Sequence, residues 1–243
     1  MEWHQAISKL TPYVVRISTP QGSGTGWLVS RSNTSKLCGI ATAAHVIDHA
    51  HYWEEPIKIY HPSSKKSIVL RPTERSVHID PDLDSAGIVF PVTDMALPEE
   101  VPTLVAKDKY IKPGVEIGWL GFPALPRADL CFFSGRISAY LEEMSAYLVD
   151  GVAINGVSGG PAFYIKHNED KFELMGIISA YIPNRATGEV LPGVAVVRDT
   201  TQFHDLAERF SSFDDAKTKE STSTEPPASG EPVGLDPHTK TSR

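Results

Sequence analysis

Apolar residues fall along this chain in short runs separated by Gly, Pro, Asn and Asp. The runs at 12–19 (PYVVRIST) and 25–30 (TGWLVS) flank the turn QGSG, and CGIATAAHVI follows. Others lie at 56–61, 67–72 and 86–91. Pro91, Pro98 and Pro102 then break the chain. A second series occupies 115–123, 130–141, 146–154, 160–165, 172–182 and 193–199. Short runs at regular spacing with turn residues between them predict strands in barrels or a sandwich. Two series of about six, split near 98–106, predict two barrels, one at about 11–98 and one at about 106–199.

Helical spacing shows only at the ends. Trp3, Ala6, Ile7 and Leu10 recur at i, i+3, i+4 and i+7, which predicts a short N-terminal helix. Thr200 or Thr201 is placed to cap a second helix, about 200–213, through Phe203, Leu206, Ala207 and Phe210. Both apolar stripes are read as packing faces. From Asp214 to Arg243 the composition turns to Ser, Thr, Pro, Gly, Lys and acids, with Val233 and Leu235 the only sizeable apolar residues. Such a segment buries too little to offset its ordering entropy, so 1–213 is expected to form the folded domain and 214–243 a disordered tail.

Composition narrows the function. Of 243 residues, 41% are hydrophobic, enough for a sizeable core, and 18 glycines with 19 prolines suit strands and turns better than a helical bundle. No apolar stretch approaches the roughly 18 residues of a membrane span. A net charge of −7 without a basic cluster sets nucleic acid aside. MEWHQAISKLTPYVV lacks a signal-peptide pattern, and Cys38 and Cys131 are the only cysteines, so a cytoplasmic, reducing location is expected.

The strongest chemical signal is Gly156-Val157-Ser158-Gly159-Gly160-Pro161. Glycines on both sides of a serine allow a tight backbone path that exposes the hydroxyl and turns N–H groups toward one point. Ala43-Ala44-His45-Val46 ends an apolar strand, and Asp84-Ser85-Ala86-Gly87-Ile88 sets an acid before a buried one. Singly, each has an ordinary reading: a Gly-rich turn, a hydrogen-bonded histidine, a turn-forming aspartate. In chain order, His45 and Asp84 fall in the first barrel and Ser158 in the second, so a site would sit between the two. Asp80 and Asp82 compete with Asp84 for the acid's place.

At this point the chain resembles the trypsin/chymotrypsin-like serine proteases, and among them the HtrA-type bacterial branch. The matching pieces are GSGTGWLVS, ATAAHVI, DLDSAGIVF, VEIGWLGFP, GVAINGVSGGPAFY and LMGIISAYI, spread over about 12–199. The resemblance implies an all-β fold of two six-stranded antiparallel barrels and a hydrolytic triad without metal or organic cofactor. It selects Asp84, which opens the Asp-x-Ala pattern. Ser158 would then be the nucleophile, His45 the base and Asp84 its orienting acid. The N–H groups of Gly156 and Ser158 would form the oxyanion hole. Peptide or protein is the substrate implied; a regulatory partner or oligomer is left open. Two departures stand out. Asn155 runs straight into Gly156 where HtrA-type chains usually carry one residue more. Val157 replaces the aspartate that zymogen-activated relatives keep. A PDZ domain is not expected in the few polar residues that follow.

By the same resemblance, Val152, Ala153 and Ile154, then Ser179, Ala180 and Tyr181, and then Gly193 would line the specificity pocket. Val152 is expected at its base and the Tyr181 ring at its mouth. With no acid there, cleavage after small or medium apolar residues is expected, since an unpaired buried cation is strongly disfavoured. Rival readings are weaker. GxSxG matches an α/β-hydrolase literally, but that fold needs intervening helices and a histidine after the serine. His45, His49 and His51 lack the acid set of a metal site. A catalytically dormant binding or scaffold module is the main alternative.

Overall fold

The computed structural model describes residues 1–223 except 33, 35, 93 and 184–189. Among the described residues, thirteen strands form two sheets. The first contains β1 (Val14–Thr19), β2 (Gly22–Arg31), β3 (Leu37–Thr42), β4 (Ile57–His61), β5 (Lys66–Leu70), β6 (Ser76–Asp80) and β7 (Ser85–Pro91), in the order β5-β4-β1-β2-β3-β7-β6. The second is a closed barrel of β8 (Glu116–Gly121), β9 (Cys131–Leu141), β10 (Ala146–Asp150), β11 (Pro161–Lys166), β12 (Lys171–Pro183) and β13 (Val190–Arg198). Every ladder is antiparallel.

The two-lobed all-β architecture stands, with one difference. The first lobe is a curled sheet of seven strands, not a closed barrel of six. Its extra strand, β6, has the pattern SVHID with no fully buried residue, so it carries no run of apolar side chains to betray it. Where β5 and β6 would meet, Arg75 fills the gap. Its guanidinium donates to the carbonyls of Leu70, Ala50 and Glu55 at 2.6, 3.0 and 2.7 Å.

Three helices accompany the sheets: α1 (Trp3–Leu10), α2 (Ala44–Tyr52) and α3 (Thr201–Ser223). The terminal two were expected, but α2 was not. The stretch around His45 continues the apolar β3 in sequence, yet the strand stops at Thr42. Beyond it Ala44, Ile47 and Ala50 recur at helical spacing and are buried against the first sheet. Helix α3 runs ten residues past the boundary expected at Phe213, and Asp214 bonds to the hydroxyls of Ser32 and Thr34. Lys, Glu and Ala there are good helix formers, a propensity that the tail's overall polarity masked. Residues 224–243, the rest of the expected tail, lie outside the described residues.

One core fills each lobe, and a third lies between them. The middle one gathers Trp27, Val29 and Ala41 of the first sheet with Leu120, Phe163 and Ile177 of the second, and α1 and α3 seal its ends with Leu10 and Phe203. Trp27 and Phe203 meet edge to face at 5.7 Å. Strand β2 therefore buries both faces, Leu28 toward its own lobe and Trp27 toward the other. Both cysteines are free, and burial pushes the Cys38 thiol up to about 12. Among the described residues no helix is long and apolar enough to cross a membrane.

Candidate active site

His45 sits in the first turn of α2, whose N-cap position is Ala43, a residue with no capping side chain. Asp84 supplies the missing cap from another element. The turn Pro81–Asp84 ends with Asp84 in the left-handed region, at φ 45°. From there its carbonyl accepts the Ala44 N–H at 3.1 Å and its Oδ1 accepts the His45 N–H at 3.0 Å. The same carboxylate reaches the imidazole, with Nδ1 3.0 and 2.9 Å from its two oxygens. Ser179 donates its hydroxyl to Oδ2 at 2.5 Å. The competing acids lie elsewhere: Asp80 accepts from Leu83 N–H and from Gln202, and Asp82 is exposed.

These contacts set the electrostatics. The hydrogen bond to Asp84 raises the His45 pKa above its ordinary value, against the opposing effect of burial. Burial alone would push Asp84 up, but the hydrogen bonds from His45 and Ser179 hold it below the usual carboxylate range.

The serine loop comes from the second lobe and is clamped by the first. Gly156 takes φ +90° and Gly159 φ +81°, where a side chain would be strained. A Cβ on Gly156 would run into the carbonyl of Phe122. Thr25, fully buried on β2, donates its hydroxyl to the Gly156 carbonyl at 2.8 Å and accepts the Phe122 N–H at 3.0 Å. Its own N–H binds the Ser158 carbonyl at 2.8 Å. Nothing in the sequence marked Thr25, because its partner lies 131 residues away. The Asn155 carbonyl accepts from Ala124 N–H at 2.7 Å, which turns the following Gly156 N–H the other way, toward the cleft. Neither that N–H nor that of Ser158 has a protein acceptor among the described residues. The Ser158 hydroxyl donates to the Ser179 carbonyl at 3.4 Å, and among the described residues it makes no hydrogen bond to His45.

No family model matches the chain, and no curated protein matches it by sequence. Solved structures do match. A serine-to-alanine mutant of Rv3671c from M. tuberculosis, in its inactive form, shares 17% identity over 91% of this chain and 92% of its own, at a TM-score of 0.57. The serine endoprotease from Yersinia pestis shares 20% over 86% of this chain and 66% of its own, at 0.61. Deg5 shares 18% over 74% and 87%, at 0.55. The fold is that of the trypsin-like serine proteases.

In a trypsin-like frame the specificity pocket adjoins the serine, and the structure brings together part of the expected set. Gly151 N–H donates to the Gly193 carbonyl at 2.9 Å, joining those two segments. Ala153 packs against the core of the second lobe. Ser179 is buried, but its hydroxyl serves Asp84 and its carbonyl faces Ser158. Val152 does not form an enclosed base. It is 53% exposed and lies two residues beyond the end of β10 at Asp150. Ala180 and Tyr181 lie on β12, where Tyr181 pairs with Ala195, and their side chains fall outside the described residues. The described cleft at Ser158, about 450 Å³, is lined by Gln21, Ser23, His45, His49, Ala124 and Asn155 among others.

Proposed function

We propose that this chain is a serine endopeptidase working through Ser158, His45 and Asp84. One observation carries the reading: an ionised Asp84 holds His45 by Nδ1, beside a serine whose loop presents two unpartnered N–H groups. In the working state the Ser158 hydroxyl would leave the Ser179 carbonyl and donate to Nε2 of His45. His45 then takes the proton as Oγ attacks the scissile carbonyl, and the oxyanion settles between the N–H groups of Gly156 and Ser158. Collapse expels the amine, protonated by His45. Water deacylates the enzyme by the same steps in reverse order. Each oxyanion donor is worth about 2.7–4 kcal/mol at the transition state. For specificity, Asp150 is exposed and Trp119 underlies Gly151, so the surroundings of 151–153 favour a small or medium apolar residue before the cut. Dominant cleavage of a peptide library after Arg or Lys would overturn that part alone.

The test is labelling by a serine-reactive phosphonate together with peptide hydrolysis. Wild type should be labelled at Ser158 and cut peptides, and Ser158→Ala should do neither while keeping its melting temperature. Wild-type proteolysis by Ser158→Ala would refute the assignment. A dormant binding module is the second reading, favoured by the bond from Ser158 to the Ser179 carbonyl. It predicts a wild type that neither reacts nor cleaves.

A further inference from the structure

The chain has a single Asn-Gly step, Asn155-Gly156; its other asparagines precede Thr34, Glu169 and Arg185. We propose that this step is a self-modification site, where Asn155 deamidates through a succinimide closed by the Gly156 nitrogen and thereby disables the serine loop. The functional consequence rests on the oxyanion role of Gly156 proposed above; the chemistry does not.

Three observations converge. The Asn155 side chain is exposed, and its carboxamide has no hydrogen-bond partner among the described residues. The Gly156 N–H faces the cleft and is likewise unpartnered, while the Asn155 carbonyl is fixed on Ala124. Gly156 has no Cβ to shield its nitrogen. The chain carries its own contrast in Asp150-Gly151, a step with the same capacity for ring closure. There the Gly151 N–H is committed to the Gly193 carbonyl, so its nitrogen is tied into the structure.

The atoms balance without an oxidant. Hydroxide takes the Gly156 N–H proton, the nitrogen's electron pair forms a bond to Cγ of Asn155, and the Cγ–Nδ2 bond breaks. The leaving nitrogen takes a proton from water and departs as ammonia. Water then opens either ring carbonyl, leaving aspartate or isoaspartate at 155. In the ring, Gly156 nitrogen carries no hydrogen, so the donor is gone. Isoaspartate lengthens the backbone by one methylene and moves the restored N–H away from that of Ser158. Aspartate keeps the N–H but adds a negative charge beside a developing oxyanion.

The experiment is incubation of the full chain in mildly alkaline buffer made with heavy-oxygen water, followed by peptide mapping and hydrolysis assays. Residue 155 should become aspartate and isoaspartate carrying the heavy oxygen, while Asp150 stays unisomerised. Hydrolysis should fall as residue 155 converts, the isoaspartate form being about 10²–10³-fold slower in kcat, as for loss of one donor. Asn155→Ser should hold its own starting rate. Survival of Asn155 over the time that converts a synthetic peptide of residues 150–160 would overturn the proposal, as would equal isomerisation at Asp150, which signals unfolding. Undiminished hydrolysis by modified chain would overturn its second half. If the fresh chain cleaves nothing, the endopeptidase reading fails and the mass readout still decides this one.

Discussion

Asp84 does two jobs with one carboxylate, closing the first turn of α2 and holding His45. The two can be separated, because asparagine caps helices as well as aspartate does but carries no charge. Asp84→Asn should therefore leave the melting temperature nearly unchanged while kcat falls by about 10⁴. The pH profile follows from the direction of the His45 shift. If His45 is the base proposed above, its neutral form is the active one, and because its pKa is raised kcat/KM should fall as pH drops through a midpoint above the ordinary value of about 6.5. A flat profile from about pH 5 to 8 would remove His45 from the mechanism. In Asp84→Asn the residual activity should show that midpoint displaced downward, since the anion that stabilised the imidazolium is gone.

Strands were legible where apolar residues alternate or cluster, and the serine and histidine segments were legible as motifs. Helix α2 was not, because Ala44, Ile47 and Ala50 follow a strand without a break, and the residue that caps it is Asp84, forty positions from Ala44. The clamp on the serine loop was hidden for the same reason. Thr25 reads as one polar residue within an apolar strand, and only the fold brings it to Gly156 and Phe122. Spacing from Ser158 put Val152 along the chain but could not tell that it lies exposed beyond the end of β10. Thr25→Val keeps the shape but leaves the Phe122 N–H without its acceptor and the Gly156 carbonyl without its donor. Each such buried group costs about 1–3 kcal/mol, so the midpoint of urea unfolding should drop accordingly. Activity should fall further than stability alone explains, because the loop loses its brace.

The core between the lobes makes the molecule one cooperative unit, since Trp27 and Phe163 come from different sheets and share α1 and α3 as covers. Calorimetry should show a single unfolding transition, with no separate melting of the lobes. Phe203→Ala, on α3 and far in sequence from His45, Asp84 and Ser158, should destabilise the whole by about 3–5 kcal/mol. Two resolved transitions, or a cost below about 1 kcal/mol, would show that α3 is an ornament on the fold and not part of its interior.

The connection between the lobes is stitched down at both ends. Arg31 donates to the carbonyls of Leu97 and Pro98 at 2.8 and 2.9 Å, while Val105 N–H donates to the Leu174 carbonyl at 2.8 Å and Leu174 N–H to the Thr103 carbonyl at 2.9 Å. These bonds tie the connection to β2 at one end and to β12 at the other. Under the endopeptidase reading, such a frame leaves the ordering cost to the substrate polypeptide, on the order of 1–2 kcal/mol for each residue drawn out straight. A segment locked inside a stable domain owes its melting energy as well. On that reading the frame would sort its substrates by foldedness before any pocket reads their side chains. A destabilised variant of a substrate domain should accordingly be cut in proportion to its unfolded fraction, its parent scarcely at all.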